Sequence, residues 1–324
     1  PTNSQRLFVA MNRGLRESTD GGSTWSNPIG ITAACQDVEV SSDGQNMVAS
    51  FSNSVYVSTD GGLNWNVSTL PGKRATDRIE VAIAPSDKNI MYAAASGTGC
   101  IEGVYRTSDG GVSWAKLLNT PNYLGNSINC QGEYNNTIAV YPNDPGKIIV
   151  GGVSMFQWRQ SSVDPAPVQG EWKVIATTNQ FFGNGSRNPF YVHADIHHFV
   201  FHPTNPNKLY IGSDGGVGFS ANMNVNQPFY GQYNLGYNVT QFYDIGIGPR
   251  GYVAGGTQDN GTQLVGFNFN TGKSAVSLRG GDGFDTELFM INPELGIASI
   301  YYGDMARVQG IGTSIGSSTI NNAE

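Results

Sequence analysis

The chain has 324 residues, 39 % hydrophobic and 13 % charged, with a formal net charge of −7 and 43 Gly, 15 Tyr, 15 Phe and 5 Trp. Lys and Arg are scattered singly, which argues against a basic nucleic-acid-binding stripe, and no window approaches the ~18 apolar residues of a membrane helix. Strong helix formers are scarce while Asn, Ser, Thr and Gly are abundant, so the composition predicts an all-β protein with many tight turns.

In chain order, QRLFVAMNRGLRE (5–17) reads as two short strands that run into the phrase STDGGSTW (18–25). The phrase returns as STDGGLNW (58–65) and TSDGGVSW (107–114), its acidic residues being Asp20, Asp60 and Asp109, at spacings of 40 and 49. The third period shows its strands most clearly. RIEVAIAP (78–85) alternates as an inner strand should, NIMYAAAS (89–96) is a buried second strand, GVYRTSDGG (103–111) runs into the phrase, and SWAKLL (113–118) is the outer strand. The same template recurs at 136–158, 197–220, 241–267 and 285–308, each time with a Pro-containing turn after the first strand. A period of 40–50 residues with four short strands is a propeller blade, and 324 residues divide into seven blades of about 46. The reading is a single β-propeller domain over 1–324. Its first blade begins at the second strand, and GTSIGSSTINNAE (312–324) is expected to supply the missing inner strand, unless the chain is cut from a longer protein.

The phrase S/T-x-D-G-G-x-x-W resembles the Asp box of the bacterial neuraminidase repeat, through Ser18, Asp20, Gly22 and Trp25, then Ser58, Asp60, Gly62 and Trp65, then Thr107, Asp109, Gly111 and Trp114. Its chemistry is structural: a short acid accepts N–H bonds from the following turn, the glycines permit positive φ, and the Trp starts the outer strand. The resemblance places these boxes at the blade periphery, away from a central site. SANMNVN (220–226) is a degenerate copy with Asn222 in the acidic slot, and SSVDPAPVQGEW (161–172) retains only the Trp.

Function is expected in the loops that do not repeat. YVHADIHHF (191–199) holds three of the four histidines. On a regular strand His193, Asp195 and His197 would share one face, with His193 and His197 roughly 13 Å apart, too far for one ion. Asp195 with His197 is the candidate metal pair, against a reading in which these side chains only fix neighbouring loops. No cofactor is expected beyond a structural cation. GSDGGVGFS (212–220) places Asp214 in a tight turn, GGTQDNGTQ (255–263) gathers Gln258, Asp259 and Asn260, and RGGDGFD (279–285) offers Asp282 and Asp285. The binding candidates are therefore His193, Asp195, His197, Asp214, Gln258, Asp259 and Asn260, and the candidate catalytic acids are Asp195, Asp259 and Asp282.

The run from 191 to 262, with HADxHH, the Pro turn, DGG and GGTQDNG, resembles exported bacterial propellers of the sialidase-like, sortilin-receptor-like and xyloglucanase-like kind. That resemblance implies a secreted or cell-surface protein that binds glycan or protein, or joins a surface assembly. Sialidases clamp a carboxylate with three arginines behind an F/Y-R-I-P segment, which 5–17 lacks, although Arg13, Arg78, Arg187 and Arg279 are present. A glycoside hydrolase using an Asp pair is the alternative to a non-catalytic binder. Of Cys35, Cys100 and Cys130, an exported chain would bridge Cys100 to Cys130 and leave Cys35 buried and free, against three buried thiols. Acceptor patterns for glycosylation begin at Asn66, Asn135, Asn184, Asn238 and Asn260.

Overall fold

A computed structural model describes residues 3–74, 77–126, 129–161, 168–180, 182–184, 186–234, 240–249, 251–266, 275–311 and 316–319. These residues form seven antiparallel sheets in chain order, six of four strands and the first of two. The fold class is an all-β propeller of seven blades, one per sequence period. A single 3-10 turn, Tyr301–Gly303, is the only helix among the described residues, so no described helix is long and apolar enough to cross a membrane.

Two compact units divide the chain, Pro1–Tyr233 and Asn234–Glu324. The first holds five sheets. Leu7–Met11 pairs with Gly14–Ser18, and a bridge between Glu17 and Ser26 stands where other sheets have an outer strand. The second sheet runs Cys35–Val40, Met47–Phe51, Ser54–Ser58 and Asn66–Ser68, and the third Arg78–Ala84, Asp87–Gly97, Cys100–Thr107 and Ala115–Lys116. The fourth begins with Thr137–Tyr141 and the fifth with Ile196–His202. Second strands are small and apolar because they are covered on both faces: Met47–Phe51 is buried throughout. The core lies between neighbouring sheets. Ile79, Val81 and Met91 pack with Val48, Val55 and Val57 from the sheet before, and Tyr92 packs against Trp158 from the sheet after. Burying each of the aliphatic side chains stabilises the fold by roughly 1.5–3 kcal/mol.

The second unit holds two sheets, led by Phe242–Ile247 and Gly283–Leu288, around Tyr252, Ala254, Leu264, Leu288, Ala298 and Val308. Here one expectation is corrected. Gly316–Thr319 pairs with Asp304–Gln309 as the outer strand of the seventh sheet, so it does not complete the first. Its partner strand offers a free outer edge one hairpin away, which costs far less chain ordering than a distant pairing. The rest of 312–324 lies outside the described residues.

All three Asp boxes sit between third and outer strands with one geometry. The Ser or Thr hydroxyl donates to the Asp carboxylate at 2.7, 2.8 and 2.7 Å and accepts the second glycine's N–H at 2.8, 2.8 and 3.0 Å. The carboxylate also accepts the backbone N–H four residues on, from Thr24, Asn64 and Ser113, and their side chains. These bonds, led by those from Thr24 and Asn64, lower Asp20 and Asp60 to about 2. The first glycine's N–H then donates to a carbonyl at the start of the second strand: Gly21 to Gln5, Gly61 to Gln45, Gly110 to Asn89. The degenerate copy keeps this last bond, from Met223 to Asn207, and its Asn222 accepts the Asn224 N–H.

Cys100 and Cys130 are bonded, with Cα atoms 4.9 Å apart, and Cys35 is free and buried. Burial, with the nearby Asp37 charge, pushes the Cys35 thiol up to about 12. Asn135 is fully buried, so its acceptor pattern is out of reach of a modifying enzyme in the folded chain, and Asn238 lies outside the described residues.

Candidate binding site

The inner strand of the fifth sheet starts at Ile196, one residue before the repeat read from the sequence. Asp195 has φ 60°, in the left-handed region that Asp tolerates better than most residues. The register then shifts between Ile196 and His198, leaving His197 as the extra residue of a bulge. His193, Asp195 and His197 therefore do not share a strand face; the bulge re-aims His197 instead. Similar shifts open the inner strands of three other sheets, at Cys35/Asp37, Phe242/Asp244 and Gly283/Thr286.

Asp214 and Gly215 form the two-residue turn between Ser213 and Gly216, as expected for a tight hairpin. The His197 Nε2 lies 2.8 Å from Asp214 Oδ1, and the Tyr134 hydroxyl donates to Asp214 Oδ2 at 2.9 Å. The Tyr134 and His197 rings meet edge to face, 4.8 Å between centroids at 87°. A backbone bond from the Asp214 N–H to the Asp195 carbonyl, 3.2 Å, ties the two loops together. Asp195 Oδ1 accepts the Asn135 side-chain amide at 2.7 Å and that of Gln131. An oxygen of Asp195 lies within 4.8 Å of one of Asp214. Burial raises the Asp195 pKa, and the Asp214 charge adds to it, against the Asn135 bond. His193 turns aside: its Nδ1 lies 2.9 Å from the Ala194 carbonyl, and its ring covers Gly215, where a Cβ would meet the imidazole at 2.3 Å.

Asp195 and His197, the expected metal pair, thus face different partners. Asp195 takes two amides from the loop at 131–135 and His197 takes Asp214. Sequence reasoning missed Gln131, Tyr134 and Asn135. The signal available was their position just after Cys130, in the long connection between the third and fourth sheets. Disulfide and backbone hold this loop: Gly132 N–H donates to the Gly99 carbonyl at 2.6 Å, and Arg78 Nη1 donates to the carbonyls of Glu133 and Tyr134.

In the second unit, Asp259 also has a left-handed φ, 61°, and its N–H donates to Asp282 Oδ1 at 2.7 Å. Asn260 donates both its backbone and side-chain N–H groups to the Gln258 carbonyl, and Gln258 N–H donates to Gln241. The Asp285 carbonyl accepts the Ser299 hydroxyl at 3.1 Å. Asp282 here caps a turn, which is the role a short acid performs beside positive-φ backbone.

The inner strands carry a second group of acids. Asp37, Glu39 and Glu80 stand on Cys35–Val40 and Arg78–Ala84. Asp37 Oδ2 accepts the Val81 N–H at 2.9 Å and joins the two sheets, as Asp244 does through Thr286 in the second unit. Glu80 pairs with Arg78 Nε at 2.7 Å. Burial, followed by the charge of Asp37, raises Glu39 to about 7 and Glu80 to about 8.

No family model matches the chain, and no curated protein matches it. Among solved structures, the GH74 enzyme of Niastella koreensis is similar over 99 % of this chain and 50 % of its own, with a TM-score of 0.59 and 18 % identity. An ancestral GH74 enzyme is similar over 99 % of this chain and 55 % of its own, with a TM-score of 0.51 and 14 % identity. The chain spans about half the length of these structures. At such identities the likeness shows the shared fold.

Proposed function

We propose that the chain is a non-catalytic, extracellular propeller that binds neutral glycan at the loops carrying Gln131, Tyr134, Asn135, Asp195 and Asp214. One observation carries this reading: Tyr134 is 47 % exposed yet held rigid, its hydroxyl on Asp214 and its ring against His197. An immobilised aromatic face stacks on a sugar ring with little entropy left to lose, while the amides and carboxylates beside it match hydroxyl groups. The acids of the site spend oxygens on positioning. Asp214 is engaged through both oxygens and Asp195 accepts two amides, which suits a preformed surface. An alternative reading as a glycoside hydrolase draws on one further fact. Burial and Asp214 raise the carboxyl of Asp195, and an unlike carboxyl pair at short range is the pattern of an acid beside a nucleophile.

Titration of the chain with soluble β-glucan and sialylated oligosaccharides, with reducing-sugar release followed in parallel, decides between them. Binding weakened at least tenfold by Tyr134→Ala, with no sugar released, supports the binder. Turnover that Asp195→Asn abolishes would establish the hydrolase, and no binding to any glycan would overturn both.

A further inference from the structure

The inner strands of the second to fifth sheets face a cavity of about 530 Å³ within the first unit, at the end where the proline turns of the third to fifth sheets lie. Its wall is more apolar than polar: Ile83, Val140 and Val200 contribute to it from three different sheets, Val140 almost fully buried in the core behind, and Pro85, Pro142 and Pro203 close the rim. Val200 is 48 % exposed, although it stands mid-strand where an apolar side chain ordinarily finds cover. The volume lies within the range of a small-molecule site. Against this apolar wall stands the carboxyl of Glu39, which lines the cavity and receives no hydrogen bond from any described residue. The other charged or titratable groups nearby are mostly engaged. Asp37 accepts the N–H groups of Val38 and Val81, Glu80 pairs with Arg78, and Lys88 pairs with Asp43 at 2.5 Å. His198 and His202 also line the wall, and the N–H of Thr204 donates to His202 Nδ1.

We propose that this cavity is a binding site for a small organic cation, a primary amine with an apolar body, whose ammonium pairs with Glu39 while its hydrocarbon lies against Ile83, Val140 and Val200. A carboxyl in an apolar pocket without a donor is costly to ionise, and an ammonium supplies both the opposite charge and the missing hydrogen bonds. A neutral apolar ligand would leave that acid as it found it, and an anion would bring it no donor and would be repelled by its ionised fraction. The site is independent of the glycan reading, since it uses none of the residues at 131–135, 193–197 or 214. Burial keeps part of the Glu39 population protonated near neutral pH, so pairing with an ammonium expels a proton.

The probe is hexylammonium, with hexan-1-ol as its neutral counterpart, titrated by calorimetry into the full chain at pH 7.5 in two buffers of different ionisation enthalpy. The expected result is saturable hexylammonium binding with release of a fraction of a proton. Hexanol binds at least tenfold more weakly. Glu39→Gln weakens hexylammonium at least tenfold and removes the proton release. Val200→Lys, at an exposed position, sets a competing ammonium over the cavity and weakens binding to the same degree without touching Glu39; this variant decides the matter if Glu39→Gln fails to fold. Absence of saturable binding, equal affinity for hexanol, or binding to either variant within twofold of the parent overturns the proposal.

Discussion

Acids at two places in this molecule behave in opposite ways. On the Asp-box turns, Asp20 and Asp60 are lowered to about 2; on the inner strands, Glu39 and Glu80 are raised to about 7 and about 8. The turns offer several N–H and O–H donors to each carboxylate in contact with water. The inner strands offer burial, and Glu80 has one guanidinium while Glu39 has no donor among the described residues. Donor count and burial, rather than the presence of an acid, separate scaffold from site. The repeated acids are held in the same way in all three boxes, which marks them as scaffold.

The sharpest break of this contrast removes the cation of the inner strands. Arg78→Met leaves Glu80 unpaired and releases the carbonyls of Glu133 and Tyr134, and is expected to cost about 3 kcal/mol of unfolding free energy at pH 9. The loss is smaller at pH 6, where Glu80 keeps its proton; urea titrations at both pH values measure the difference. A weaker perturbation is pH itself. Folded Glu80 holds its proton to about 8, whereas the unfolded side chain releases it near 4.5, so the folded state binds more protons between those values. The stability that Glu80 contributes is present below about 4.5 and is lost as pH rises to about 8, at up to about 1.4 kcal/mol per pH unit. Glu80→Gln flattens that slope. Asp20 and Asp60 act with the opposite sign: their contribution is present above about 3.8 and is lost as pH falls towards about 2. The smallest effect tests the turns as scaffold. Ser58→Ala strands the Gly62 N–H and is expected to cost about 1–2 kcal/mol by chemical denaturation, with glycan and amine affinity unchanged. A change in affinity would tie the turns to function.

The boxes, the period and the strand order of each sheet were legible because turn chemistry is local: the Ser or Thr, the Asp and the second Gly of each box bond within five residues of one another. The Cys100–Cys130 bridge was one of two readings the sequence left open, the other being three buried thiols, and the structure selects it. The loop cluster was half legible. Asp195, His197 and Asp214 stood out as polar residues outside the repeat, but their partners Gln131, Tyr134 and Asn135 are 60 to 80 positions away in sequence, and no periodicity connects them. The bulge at His197 was invisible for a related reason, because one extra residue reverses every later side chain without altering the composition. Glu39 and Glu80 could have been found. Glu80 sits at a polar position of the alternating run 78–85, already identified as an inner strand, and Glu39 at the matching position of DVEV (37–40).

The bridge between Cys100 and Cys130 spans 30 residues, and it starts in the hairpin of the third sheet and ends one residue before Gln131. A protease that cuts once between these cysteines therefore yields no separate fragments: the nicked chain keeps its mass, plus one water, until a reductant is added. Asn126 and Asn129 are exposed and lie inside that ring, so a cut beside either would be silent on a non-reducing gel. The segment that delivers Gln131, Tyr134 and Asn135 can thus be severed upstream and still stay tethered to the body it serves.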